Sequence, residues 1–209
     1  MTADPGILYR SCRERIMALV SGPGVDPDLT VPATPLWTVH DVVAHVAGVA
    51  NDARNGNMAG APGEAWTAAQ IERGRGRSVA DLLAQWEDDG AVLDGVFSGA
   101  NGGMLAAGIF DVHTHEADLR QALGLPVVVP DDFLDWACPQ LRDGFFERAL
   151  ERGLPDVQVD LPYLEWFRGR FGRRTADEVR AYAWSADSTP YLDSFFIFGR
   201  AESSLQEVA

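Results

Sequence analysis

The chain has 209 residues, 46% of them hydrophobic and 10% aromatic, which affords a sizeable core in one domain or a little more and excludes a disordered polypeptide. Acidic residues outnumber basic ones 31 to 17, and the formal net charge of −14 argues against nucleic acid and anionic membrane surfaces as partners. Cys12 and Cys138 are too few for a disulfide framework, no apolar leader follows Met1 and no stretch nears the ~18 apolar residues of a membrane span, so a cytoplasmic protein is expected.

Ile7, Leu8, Cys12, Ile16, Leu19 and Val20 recur at helical spacing and predict a helix over 6–20, stopped by Ser21-Gly22-Pro23-Gly24. After a Pro-rich connection, Thr38 with Asp41 three residues on is a capping-box pattern that opens a second helix, fading at Asn55-Gly56-Asn57. The Gly- and Arg-rich stretch 56–77 predicts little more than a short helical piece from Trp66 to Ile71. Ser78-Val79-Ala80-Asp81 opens a third long helix, on which Glu87-Asp88-Asp89 reads as a solvated face. Gly99 to Gly103 is a break, and a fourth helix runs from about Met104 to Leu123 before Gly124-Leu125-Pro126. Four amphipathic segments with loop breaks between them predict a four-helix bundle over residues 1–126. Residues 127–209 read as a short, irregular, mainly helical extension packing on that bundle. It has a helix over 131–152, a short strand at Val157-Gln158-Val159, a helix opened by Thr175-Ala176-Asp177-Glu178 and an aromatic stretch from Tyr191 to Phe198.

The four histidines fall in two windows, His40 and His45 in one and His113 and His115 in the other. His45 lies on the stripe Val42, His45, Val46, Val49, which otherwise reads as core, and a lone histidine there is ordinarily a satisfied core residue. Asp111 and His115 are four residues apart and project from one helical face, about 40° apart at ~100° per residue. Imidazole nitrogen and carboxylate oxygen suit zinc and similar ions, and three protein ligands leave a position open. His45, Asp111 and His115 are therefore the candidate metal set, against the alternative of unconnected polar residues at bundle positions. His113 points ~160–200° from its neighbours in that set, and His40 is ~140° round the helix from His45, so neither is expected to ligate. Asp118 is either a solvated residue or an outer partner of the site, and Asp41 caps its helix. Arg173 and Arg174, after Gly172, form a compact basic doublet. It is either charge-paired on an acidic surface or a bidentate clamp for a carboxylate.

Trp37-Thr38-Val39-His40-Asp41-Val42-Val43-Ala44-His45-Val46-Ala47-Gly48 resembles the second-helix motif of the mycothiol-dependent maleylpyruvate isomerase family, part of the DinB/YfiT-like group. His115-Glu116-Ala117-Asp118-Leu119-Arg120-Gln121-Ala122-Leu123-Gly124 resembles that family's H-x-x-D-L-x-x-A-L-G stretch. Gly172-Arg173-Arg174, Trp184-Ser185-Ala186-Asp187 and Pro190-Tyr191-Leu192-Asp193 are similar to its actinobacterial branch. The resemblance implies an all-α, DinB-like four-helix bundle holding a divalent metal, usually zinc, with His45, Asp111 and His115 as ligands. Asp111 stands where the family usually has Glu, one methylene longer. The resemblance further implies mycothiol as a thiol co-substrate and a small electrophile as its target, in an isomerase or S-transferase reaction; the guanidinium chemistry of Arg173 and Arg174, and not the resemblance, makes them the expected contacts for an acidic group of the thiol cofactor or the substrate. A hydrolase using metal-activated water and a non-catalytic metal-binding helical module are the alternatives, and a homodimer is a conceivable assembly.

Overall fold

The computed structural model describes residues 3–100 and 102–207 and is mainly helical. Its residues cluster into two compact units, one ending at Val128 and the other spanning Val129–Glu207.

The first unit holds α1 (Pro5–Val20), α2 (Val39–Asn55), α3 (Glu64–Gly74), α4 (Val79–Phe97) and α5 (Ala106–Ala122), the last entered through a 3-10 turn at Gly102–Leu105. Local chemistry fixes most of the starts. Asp4 accepts from the amides of Gly6 and Ile7 ahead of α1, and Pro5 supplies a preset φ where no amide hydrogen is needed. Thr38 and Asp41 form a reciprocal capping box on α2, and Ser78 caps α4. Gly56, at φ 75°, ends α2 in the left-handed region that only glycine enters cheaply. Helices α1, α2, α4 and α5 form the bundle, and α3 lies against α2. The core between them includes Leu8, Cys12 and Ile16 of α1, Val42, Val43 and Val46 of α2, Leu82, Trp86 and Leu93 of α4, and Ile109, Val112 and Leu119 of α5.

Three features of this unit differ from the sequence reading. The segment 56–77 contains a full three-turn helix, α3, rather than a short piece. Asp89 is not solvated: it is buried on α4, where Asn51 and Arg54 of α2 donate to its carboxylate at 2.8 Å each. Helix α5 is buried nearly all round, because its charged residues are paired rather than exposed. Glu116, between α5 and α1, accepts from Arg15 at 2.7–2.9 Å and from Arg120 at 3.0 Å, and the Cys12 thiol points at it from 3.3 Å.

The second unit begins with α6 (Asp131–Glu151), which continues through Pro139 on the strength of a buried stripe that includes Phe133, Leu134, Ala137, Leu141 and Phe145. Val159–Asp160 (β1) pairs antiparallel with Ala183–Trp184 (β2), so the strand expected at 157–159 forms two residues later and only as a two-residue rung. Between them lie α7 (Tyr163–Arg170) and α8 (Ala176–Arg180), the latter opened by a Thr175–Glu178 capping box. α9 (Leu192–Phe195) follows. Helix α7 was not predicted by spacing. An aromatic cluster of Phe145, Trp166, Trp184, Tyr191 and Phe195 makes this unit's core, with ring centroids 5.7–6.4 Å apart.

Candidate metal centre

Helices α2 and α5 contact each other, and the contact brings His45 to Asp111 and His115. His45 is held on α2 between the buried Val42 and Val46, and the four-residue spacing on α5 stacks Asp111 and His115 on one face. One nitrogen from each imidazole and a carboxylate oxygen of Asp111 lie within 4.8 Å of one another. His45 Nε2 is 3.3 Å from Asp111 Oδ2, and His115 Nε2 is 3.5 Å from Asp111 Oδ1. The two imidazole rings meet edge to face with centroids 5.1 Å apart. Trp37 flanks both, 5.2 Å from the His45 ring and 5.8 Å from that of His115. Both histidines are buried, whereas the Asp111 side chain keeps 30% of its surface in contact with solvent.

Both outer ring nitrogens face a defined group, but only that of His45 is hydrogen-bonded. His45 Nδ1 lies 2.8 Å from Gln70 Oε1, and an amide oxygen can only accept, so Nδ1 is the protonated nitrogen. His115 Nδ1 faces the fully buried Asp118 carboxylate at 3.4 Å. This leaves two Nε2 lone pairs and a carboxylate turned towards one point, and Asp111 Oδ2 is a buried oxygen without a hydrogen-bond partner. Such a donor set is stable only around positive charge. Protons supply it in part: burial pushes the His115 imidazole down, but Asp111 and Asp118 outweigh burial and lift it to about 9. Burial likewise pushes the Asp111 carboxyl up, and His45 and His115 overcome this to hold it well below the usual carboxylate range. A divalent cation fits the same place. Two neutral imidazoles and one carboxylate are a common donor set, and His45 already makes the outer hydrogen bond that metal-bound histidines make.

The remaining candidates sit elsewhere. His40 Nε2 meets the Arg77 carbonyl at 2.9 Å, and His113 Nδ1 meets the Ile109 carbonyl at 2.9 Å, so each has a structural partner off the cluster. Asp41 caps α2. Arg173 and Arg174 belong to the second unit, just beyond α7. Arg173 donates to the Phe171 carbonyl at 2.6 Å, and Arg174 forms a bidentate pair with Glu165 at 2.7 and 2.9 Å and also meets Glu207. Both cysteines are buried thiols kept protonated: burial, then the Glu116 charge, pushes Cys12 well above its ordinary value, and burial with Asp135 raises Cys138 to about 12. Spacing did not single out Gln70, which lies 25 positions from His45 in the chain, or Trp37 as a wall of the cluster.

The profile of the mycothiol maleylpyruvate isomerase N-terminal domain matches residues 9–120, a span that contains all of His45, Gln70, Asp111, His115 and Asp118. Searches of curated proteins and of solved structures return no match. With the match covering more than half of the 209 residues, the chain belongs to the mycothiol maleylpyruvate isomerase N-terminal domain family, a mycothiol-associated, DinB-like metal-binding group.

Proposed function

We propose that the protein is a metal-dependent enzyme that uses a low-molecular-weight thiol, mycothiol, on a small electrophile, in an isomerase or S-transferase reaction. The observation that carries this reading is the convergence of His45 Nε2, His115 Nε2 and Asp111 in one cluster, with Asp111 as its half-buried member. These three residues would hold a divalent metal, zinc in our reading, which when bound lowers the pKa of a thiol or water at its open position.

The chain's own groups do the rest. Gln70 keeps the His45 imidazole turned with Nε2 inward, and the Asp118 carboxylate faces His115 Nδ1 from 3.4 Å. Asp111 adds a negative charge that would offset half of a divalent cation's, so the loaded site would keep one net positive charge that favours an anionic thiolate. Trp37 covers the two imidazoles with an apolar ring, which limits water at the reacting sulfur. Cys12 and Cys138, both buried and protonated, are poor nucleophiles, so the reacting sulfur is supplied from solution.

The test is a thiol titration of the cobalt-substituted protein. Sulfur ligation produces an intense near-ultraviolet band that oxygen ligation lacks. The band is expected on adding mycothiol and is expected to be absent in His45→Ala. No spectral change with mycothiol or any other small thiol overturns the thiol reading.

A further inference from the structure

Helix α3 is mostly solvated, yet it buries a glutamine. Gln70 is 1% exposed, and apart from Gly74 it is the helix's one buried residue among those described. Its amide is fully engaged. Oε1 lies 2.8 Å from His45 Nδ1, Nε2 donates to Asp52 Oδ2 at 3.0 Å, and Arg73 Nη2 donates to the same Asp52 oxygen at 2.7 Å. The side chains thus form one line from the surface to the cluster: Arg73, Asp52, Gln70, His45. Glycine makes the approach possible. A Cβ on Gly48 would stand 2.7 Å from Gln70 Cβ and 2.8 Å from its Cγ, so α2 accepts Gln70 this closely only because position 48 has no side chain.

The order of donors and acceptors in that line has a direction. The two ends of a glutamine amide are nearly identical in shape, so only their partners decide which way it faces. A carboxylate paired with Arg73 accepts and does not donate. It therefore takes the NH2 end of Gln70 and turns the oxygen towards His45. Facing that oxygen, His45 must carry its hydrogen on Nδ1, which leaves Nε2 bare. A flipped amide would set oxygen against carboxylate and NH2 against Nδ1, and the wrong ring nitrogen would then carry the proton.

We infer that Gln70 is a positioning residue for the metal centre, with Asp52 and Arg73 setting the direction of its amide so that His45 ligates through Nε2. This rests on His45, Asp111 and His115 holding a metal, but not on any thiol or substrate. It assigns a role to α3: an arginine on the surface, with half of its side chain exposed, fixes the tautomer of a buried ligand three links away. Outer partners of this kind are worth ~10–100-fold in metal affinity.

The experiment is zinc competition against a chromophoric chelator, together with nitrogen-15 spectra of the histidine rings in the zinc-loaded protein. Gln70→Leu is expected to lose ~10–100-fold in zinc affinity. In the wild type His45 should show a zinc-bound Nε2 and an Nδ1 proton protected from exchange with solvent. Gln70→Leu should lose that protection. The double variant Gln70→Glu with Asp52→Asn restores an acceptor towards His45 and a donor behind it, so it should bind zinc within a few-fold of wild type. Gln70→Glu alone sets two carboxylates against each other and should not do so. This arm decides the matter if Gln70→Leu does not fold. Equal zinc affinity in Gln70→Leu and wild type overturns the inference, as does ligation through Nδ1 or a double variant no better than Gln70→Glu alone. A wild type that binds no zinc overturns the metal reading itself, and a failed thiol titration leaves this result untouched.

Discussion

At the residue scale, the cluster is an arrangement of lone pairs looking for a cation, and its members are unequal. His45→Ala and His115→Ala each remove a nitrogen aimed at the common point and should abolish stoichiometric zinc with helical circular dichroism largely kept. Asp111→Asn keeps shape but removes the charge, and should weaken zinc by more than any outer-partner change. His113→Ala should cost stability, since a buried ring and its bond to Ile109 are lost, while metal content stays at one per chain. Metal analysis of the purified variants checks all four, and a His113→Ala protein stripped of metal would show that the α5 register is misassigned. The inequality of His113 and His115 was legible from the chain alone, because two positions on a helix differ by half a turn whatever surrounds them. Gln70 was not legible. Its role depends on how α3 lies against α2, and nothing in the spacing of the 56–77 stretch fixes that contact.

At the scale of elements, the α1–α5 contact has an electrostatic character that helical periodicity alone conceals. Glu116 is 2% exposed between the two helices. Burial pushes its carboxyl up, but Arg15, Arg120 and the Cys12 thiol outweigh burial and hold it below the ordinary 4.5. A carboxylate whose folded value is depressed contributes stability above its unfolded value, and that contribution is lost as pH falls through the folded one. Urea unfolding of the wild type should therefore weaken progressively below about pH 4.5, the unfolded value. Glu116→Gln should cost about 1.5–3 kcal/mol at neutral pH and flatten this part of the acid dependence. An unchanged acid profile in the variant would assign the loss to other carboxylates. Helix starts were readable where a cap signals them, as at Thr38, Ser78 and Thr175. Helix α7 was hidden because its eight residues, Tyr-Leu-Glu-Trp-Phe-Arg-Gly-Arg, are too few to show a period and no side-chain cap announces them. The β1–β2 rung was placed two residues early because its register is set by a partner 23–25 positions away, Asp160 facing Ala183 and Val159 facing Trp184.

At the scale of the whole molecule, the division at Val128 and Val129 puts every proposed metal ligand, and each outer partner of those ligands, in the first unit. The bundle was legible because four long amphipathic segments with clear breaks leave few other ways to bury their stripes. The second unit was legible only in pieces, since its core is an aromatic cluster gathered from short elements far apart in sequence. No helix among the described residues is long and apolar enough to cross a membrane. One feature of the bundle reaches beyond binding. The indole of Trp37 sits 5.2 and 5.8 Å from the two imidazole rings, close enough for its excited state to sense whether they carry protons or a cation. Protonated imidazole quenches indole emission efficiently, so loading the metal-free protein with zinc at neutral pH should brighten its fluorescence by displacing the proton from His115. The Trp37→Phe protein, still holding five other tryptophans, should lose that response. An equal rise in both proteins would place the responding tryptophan elsewhere. A rise confined to the protein that keeps Trp37 would make that indole an optical gauge of the centre, readable without label, substrate or thiol.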